Sequence, residues 1–129
     1  MIIDDNPDDN FFTEKVIQQN DPGDIVIIME DAAKALQYLL TKADPKPDLI
    51  FLDIYMPSMD GWEFLDAYCL LDTTIRSGIM IVMLATSGDP AHIGRANSWD
   101  CISEYITKPL TKEAMKNISR KYFNTQDVA

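Results

Sequence analysis

The sequence predicts an α/β fold, a single parallel sheet with helices on both faces. Three observations carry this. The apolar runs at residues 25–29 (IVIIM), 49–52 (LIFL) and 79–85 (IMIVMLA) are short and continuous rather than alternating, as strands buried on both faces are. Between them lie segments whose apolar residues recur at helical spacing. Strict alternation of the two kinds of segment implies crossover connections and a doubly wound parallel sheet.

Each element follows from local chemistry. Residues 1–3 form the tail of a buried strand, and a strand this short leaves room for a native start upstream. Asp4, Asp5, Asn6 and Pro7 make a polar loop. Asp9 or Asn10 can cap a helix carrying Phe11, Phe12, Val16 and Ile17, which ends by Asn20 ahead of Pro22 and Gly23. Residues 25–29 are the second strand. Asp31 starts a helix with Ala32, Ala35, Leu36, Leu39 and Leu40 on one face. The DPKPD loop leads to the third strand, residues 49–53, closed by a carboxylate. Pro57 and Gly61 break regular structure before a third helix from Trp62 to about Leu71. A polar connector precedes the fourth strand, residues 79–85. Pro90 suits the first turn of a fourth helix with a weak apolar face of Ile93, Ala96 and Trp99. Residues 103–106 form the fifth strand, and Thr111 can cap a last helix containing Ala114, Met115, Ile118, Tyr122 and Phe123.

Composition bounds the function. At 129 residues the chain fits one domain, residues 1–129, with a core that needs no staples. A formal charge of -10 argues against nucleic acid or an anionic membrane as direct partner. No apolar run is long enough to cross a bilayer and no signal-peptide pattern appears, so the expected location is cytoplasmic. Cys69 and Cys101 have no metal-like spacing, and both read as reduced and structural.

In a doubly wound sheet the C-terminal ends of the strands share one rim, where ligand crevices lie. That rim gathers Asp4 and Asp5, Asp53, Thr86 and Lys108. Three carboxylates this close repel one another, and a divalent cation resolves the conflict. Ligands that are all oxygen, with no histidine or cysteine, suit Mg²⁺ or Mn²⁺. Lys108 adds fixed positive charge and Thr86 a hydroxyl that can donate to an anionic oxygen. A cation, an ammonium and a hydroxyl around one carboxylate make a site for phosphoryl transfer.

These residues, taken with the LDIYMPSMDG segment around Asp53 and the Lys108-Pro109 step, make the chain resemble a response-regulator receiver domain of two-component signalling. The resemblance covers nearly the whole chain and implies a flavodoxin-like sheet of strand order 2-1-3-4-5. It implies that Asp53 accepts a phosphoryl group. Asp5 would bind Mg²⁺ directly and Asp4 chiefly through water, with Asp53 and the backbone carbonyl of Tyr55 as further ligands. Lys108 would pair with Asp53 and then with the phosphoryl oxygens, while Thr86 would swing in to hydrogen-bond one of them. Tyr105 matches the family's switch aromatic, and Lys108-Pro109 is expected to be a cis peptide.

Donors would be a sensor histidine kinase or a histidine phosphotransfer protein. The face reporting activation would be the fourth helix, fifth strand and fifth helix, contacting a downstream protein. No output domain is expected, and the chain reads as a phosphoacceptor signalling module rather than an enzyme. Alternatives are a degenerate receiver acting as a phosphorylation-independent scaffold, and a receiver fragment of a hybrid histidine kinase. A phosphohydrolase of the haloacid dehalogenase type needs a second Asp two residues after the nucleophile, where this chain has Tyr55.

Simpler roles compete at several positions. Thr86 and Ser87 are adjacent hydroxyls, and the interval to Lys108 agrees with the resembled family for Thr86. Tyr105 also reads as a half-buried strand aromatic, and His92 as a residue on the exposed side of the fourth helix. Trp62 and Trp99 read as packing residues, and Asp60 and Gly61 as the turn into the third helix. Tyr55 and Gly88 stand where family side chains tune hydrolysis, which leaves the lifetime of a phosphorylated Asp53 open.

Overall fold

A computed structural model describes residues 1–86 and 88–123. Its five parallel strands, β1 (Ile2–Ile3), β2 (Ile28–Met29), β3 (Leu49–Leu52), β4 (Met80–Ala85) and β5 (Ile102–Thr107), form one sheet of order β2-β1-β3-β4-β5. Among the described residues six helices connect and follow them: α1 (Pro7–Asn20), α2 (Ala32–Leu40), α3 (Gly61–Tyr68), α4 (Thr73–Arg76), α5 (Pro90–Ala96) and α6 (Lys112–Phe123).

Alternation along each strand divides the core in two. Ile3, Ile50, Leu52, Ile81, Met83 and Ala85 pack against α2, α3 and Ala96 of α5. Their neighbours Ile2, Phe51, Val82 and Leu84 face the other way, against Ile17 of α1 and Met115 and Ile118 of α6. A strand buried on both faces has no polar side to alternate with, which is why these segments read as unbroken apolar runs.

Several boundaries differ from the sequence reading. Helix α1 begins at Pro7, whose fixed φ suits a first helical position, and Asn6 caps it by accepting from the amides of Asp8 and Asp9 at 3.0 and 3.1 Å. Its inward face is Asn10, Thr13 and Ile17, whereas Phe11 and Phe12 are 64% and 65% exposed. β2 is limited to two residues because β1 offers only Ile2 and Ile3 for pairing, and Ile25 stands exposed. The connector after α3 is not wholly irregular: Asp72 accepts from the Thr74 amide and caps the single turn α4. The fourth and fifth helices of the sequence reading are therefore α5 and α6.

The cysteines need a fuller correction. Cys69 at the end of α3 and Cys101 just before β5 are joined in a disulfide, with Cα atoms 6.3 Å apart. Their separation of 32 residues hid a proximity that only the packing of α3 beside the α5–β5 connection creates.

Candidate functional site

The rim site begins with how β3 ends. The Asp53 amide donates to Ile3 O at 3.0 Å, tying the acid to β1, and the Ile54 amide donates to Asp53 Oδ1 at 2.8 Å. Chain reversal after Asp53 brings α3 back onto it. There Asp60 caps α3 in a reciprocal pair: its Oδ1 accepts from the Glu63 amide at 2.8 Å, while its own amide donates to Glu63 Oε1 at 3.1 Å. Gly61 next to it has its amide on Ile54 O at 2.7 Å. The two residues shape the turn, as their sequence suggests.

Asp4 is buried beside Asp53. Its amide donates to Met29 O at 3.0 Å, its Oδ1 accepts from the Asn6 amide at 3.0 Å, and its carbonyl accepts from Asn10 Nδ2 at 2.9 Å. Asp5 is exposed at the mouth. One carboxylate oxygen from each of Asp4, Asp5 and Asp53 falls within 4.8 Å of the other two. The trio could therefore hold a small divalent cation. The donor set is all oxygen, which suits Mg²⁺.

Lys108 supplies the fixed charge. It follows β5, its amide donates to Ala85 O at 2.7 Å, and its peptide bond to Pro109 is cis. Its Nζ donates to Asp4 Oδ2 at 2.6 Å and to Asp9 Oδ2 at 2.7 Å, and lies 3.4 Å from Asp53 Oδ2. Burial pulls its pKa down, but the hydrogen bonds to Asp4 and Asp9 and the charges of Asp53 and Asp4 outweigh this and raise it, so the ammonium persists. Burial, reinforced by Asp4, lifts Asp53 from 3.8 to about 6 against the opposing pull of Lys108 and the Ile54 amide. That is the electrostatic cost a bound cation would relieve.

The other expected residues are placed as follows. Thr86 is exposed immediately after β4, and Ser87 lies outside the described residues. Tyr105 is half-buried in β5, in register with Met83 of β4. Tyr55 is 58% exposed, with its ring centroid 6.1 Å from that of His92. His92 is not on an open face: it is half-buried, and its ring is also 6.3 Å from Trp62. Trp62 stacks on Trp99 at 5.1 Å and Arg95 lies over it at 4.7 Å, a packing cluster as the sequence suggests.

Asp9 was missed. Read from the sequence it is a helix cap, and only the folded α1 turns its carboxylate toward a lysine 99 residues away. The available signal was its position one helical turn past the acid pair, on the helix that leaves the same rim.

Comparison with known proteins bears on the family and the fold. The profile of the response regulator receiver domain family matches residues 1–120. Two-component response regulator ARR12 of Arabidopsis thaliana is 31% identical over 93 residues, which is 72% of this chain and 14% of that protein. Sporulation initiation phosphotransferase F of Bacillus subtilis is 28% identical over 91 residues, 70% of this chain and 69% of that one. A two-component response regulator from Cytophaga hutchinsonii superposes with a TM-score of 0.85 at 28% identity, covering 95% of this chain and 94% of that one. Among the described residues no helix is long and apolar enough to cross a membrane.

Proposed function

The chain belongs to the response regulator receiver domain family, whose role is phosphorelay signalling, and from that premise we propose how its own rim residues perform the transfer. Members of this family bind Mg²⁺ at an acidic pocket and take phosphoryl groups from histidine kinases or phosphotransfer proteins. They are signalling modules rather than conventional enzymes.

In this chain Asp53 is the acceptor. One of its carboxylate oxygens attacks phosphorus, the bond from phosphorus to the donor histidine nitrogen breaks, and the nitrogen leaves with the electron pair. Asp4, Asp5, Asp53 and the Tyr55 carbonyl would hold Mg²⁺, which would supply charge neutralisation between two anions that otherwise repel. Lys108 moves from Asp53 to the new phosphoryl oxygens and Thr86 donates its hydroxyl to another. Tyr105 follows Thr86, and the surface of α5, β5 and α6 reports the change to a partner protein. The acyl phosphate thus biases an equilibrium between two conformations of that surface.

The observation that carries this reading is the clustering of three carboxylates with one ammonium, which lies 2.6 Å from Asp4 and 3.4 Å from Asp53. Incubation with acetyl phosphate tests it by intact mass. The expected result is gain of one phosphoryl group with Mg²⁺ and none when the metal is chelated; labelling indifferent to metal contradicts the reading.

A further inference from the structure

Lys108 has more partners than its role in phosphoryl transfer requires. Its two short hydrogen bonds go to Asp4 and Asp9, at 2.6 and 2.7 Å, and the acceptor Asp53 receives only the longer contact of 3.4 Å. Asp9 is not part of the carboxylate trio that can hold a metal. It sits in the first turn of α1, fixed by its amide on Asn6 Oδ1 at 3.1 Å, with its side chain about one-third exposed (35%). An ammonium has three protons. Two are engaged by carboxylates other than the one that will carry the phosphoryl group.

We propose that Asp9 is a positioning residue that holds the Lys108 ammonium back from Asp53, favouring the unphosphorylated state of the site. This rests on the reading of Lys108 as the lysine that later binds phosphoryl oxygens. Two effects of opposite sign follow. Asp9 partly neutralises Lys108 and draws it aside, which eases entry of Mg²⁺ among Asp4, Asp5 and Asp53. Once an anionic phosphoryl group arrives, the same carboxylate competes with it for the ammonium. Asp9 therefore strengthens metal binding and weakens the phosphorylated form.

The test is calorimetric titration of the full chain with Mg²⁺ alone, and with beryllofluoride, a phosphoryl mimic, at saturating Mg²⁺. Asp9→Asn is expected to bind beryllofluoride about two- to fivefold more tightly, the range a partly exposed ion pair carries, and Mg²⁺ more weakly by a similar factor. Asp8→Asn is the control, because it removes the same charge from the same helical turn without a contact to Lys108 and should match wild type in both titrations. Opposite shifts cannot come from a merely loosened site, which would weaken both ligands. Asp9→Ser carries the same test should the Asn variant not fold.

Beryllofluoride binding by Asp9→Asn that is unchanged or weaker, or equal shifts in Asp8→Asn, overturns the inference while leaving the acceptor reading intact. Absence of beryllofluoride binding by the wild-type chain overturns both.

Discussion

A methyl group on Gly61 would lie 2.3 Å from the carbonyl oxygen of Asp53, so α3 starts in direct contact with the backbone that presents the acid. No side chain fits there without moving one segment off the other. Gly61→Ala is expected to destabilise the fold by about 1–3 kcal/mol or more, as overpacking against backbone does. Urea unfolding measures it, and an unchanged midpoint would show that the turn yields easily.

Asp53 gives the metal-free protein a characteristic pH dependence. Its proton is held to about pH 6 in the folded chain, chiefly through burial, against 3.8 for an unperturbed aspartate. Between those values the folded state binds more protons than the unfolded one, so this group's contribution to stability falls as pH rises through the window. Urea midpoints in chelator at about pH 4.5 and about pH 7 should therefore differ less in Asp53→Asn than in wild type. Equal differences would mean that Asp53 is not the group responsible. Saturating Mg²⁺ should recover stability at the higher pH, because it binds only the folded site.

The Cys69–Cys101 bridge closes a loop between residues separated by 32 in sequence. Chain-entropy arguments assign such a loop about 3–4 kcal/mol of stability, so a reducing agent should lower the urea midpoint accordingly. Thiol titration of the unfolded protein before and after reduction checks the premise. Two reactive thiols without reductant would show that the pair is not bonded under those conditions.

The sheet was legible because its strands are buried on both faces and display that directly, and the strand order came with the family resemblance. The rim residues Asp4, Asp5, Asp53, Thr86 and Lys108 were legible because strand ends in a parallel sheet share an edge whatever the details of packing. What the sequence concealed depended on contacts between distant segments. The Asp9–Lys108 ion pair needs the first turn of α1 to meet the residue that follows β5, and the disulfide needs the end of α3 beside the start of β5. The cap of α1 was misplaced for a local reason: Asp8, Asp9 and Asn10 are all good caps, but Pro7 fixes the start and leaves Asn6 the role. Phe11 and Phe12 belong to α1 as their spacing indicates, but its inward face is filled by Asn10, Thr13 and Ile17.

Acceptance of the phosphoryl group by Asp53 is open to direct chemical trapping. After incubation with Mg²⁺ and acetyl phosphate, borohydride reduces an aspartyl phosphate to homoserine, which peptide mass spectrometry locates. Homoserine at position 53, absent when phosphodonor or Mg²⁺ is withheld, is the predicted result. Homoserine at any other aspartate with residue 53 unmodified would rule out Asp53 as the acceptor.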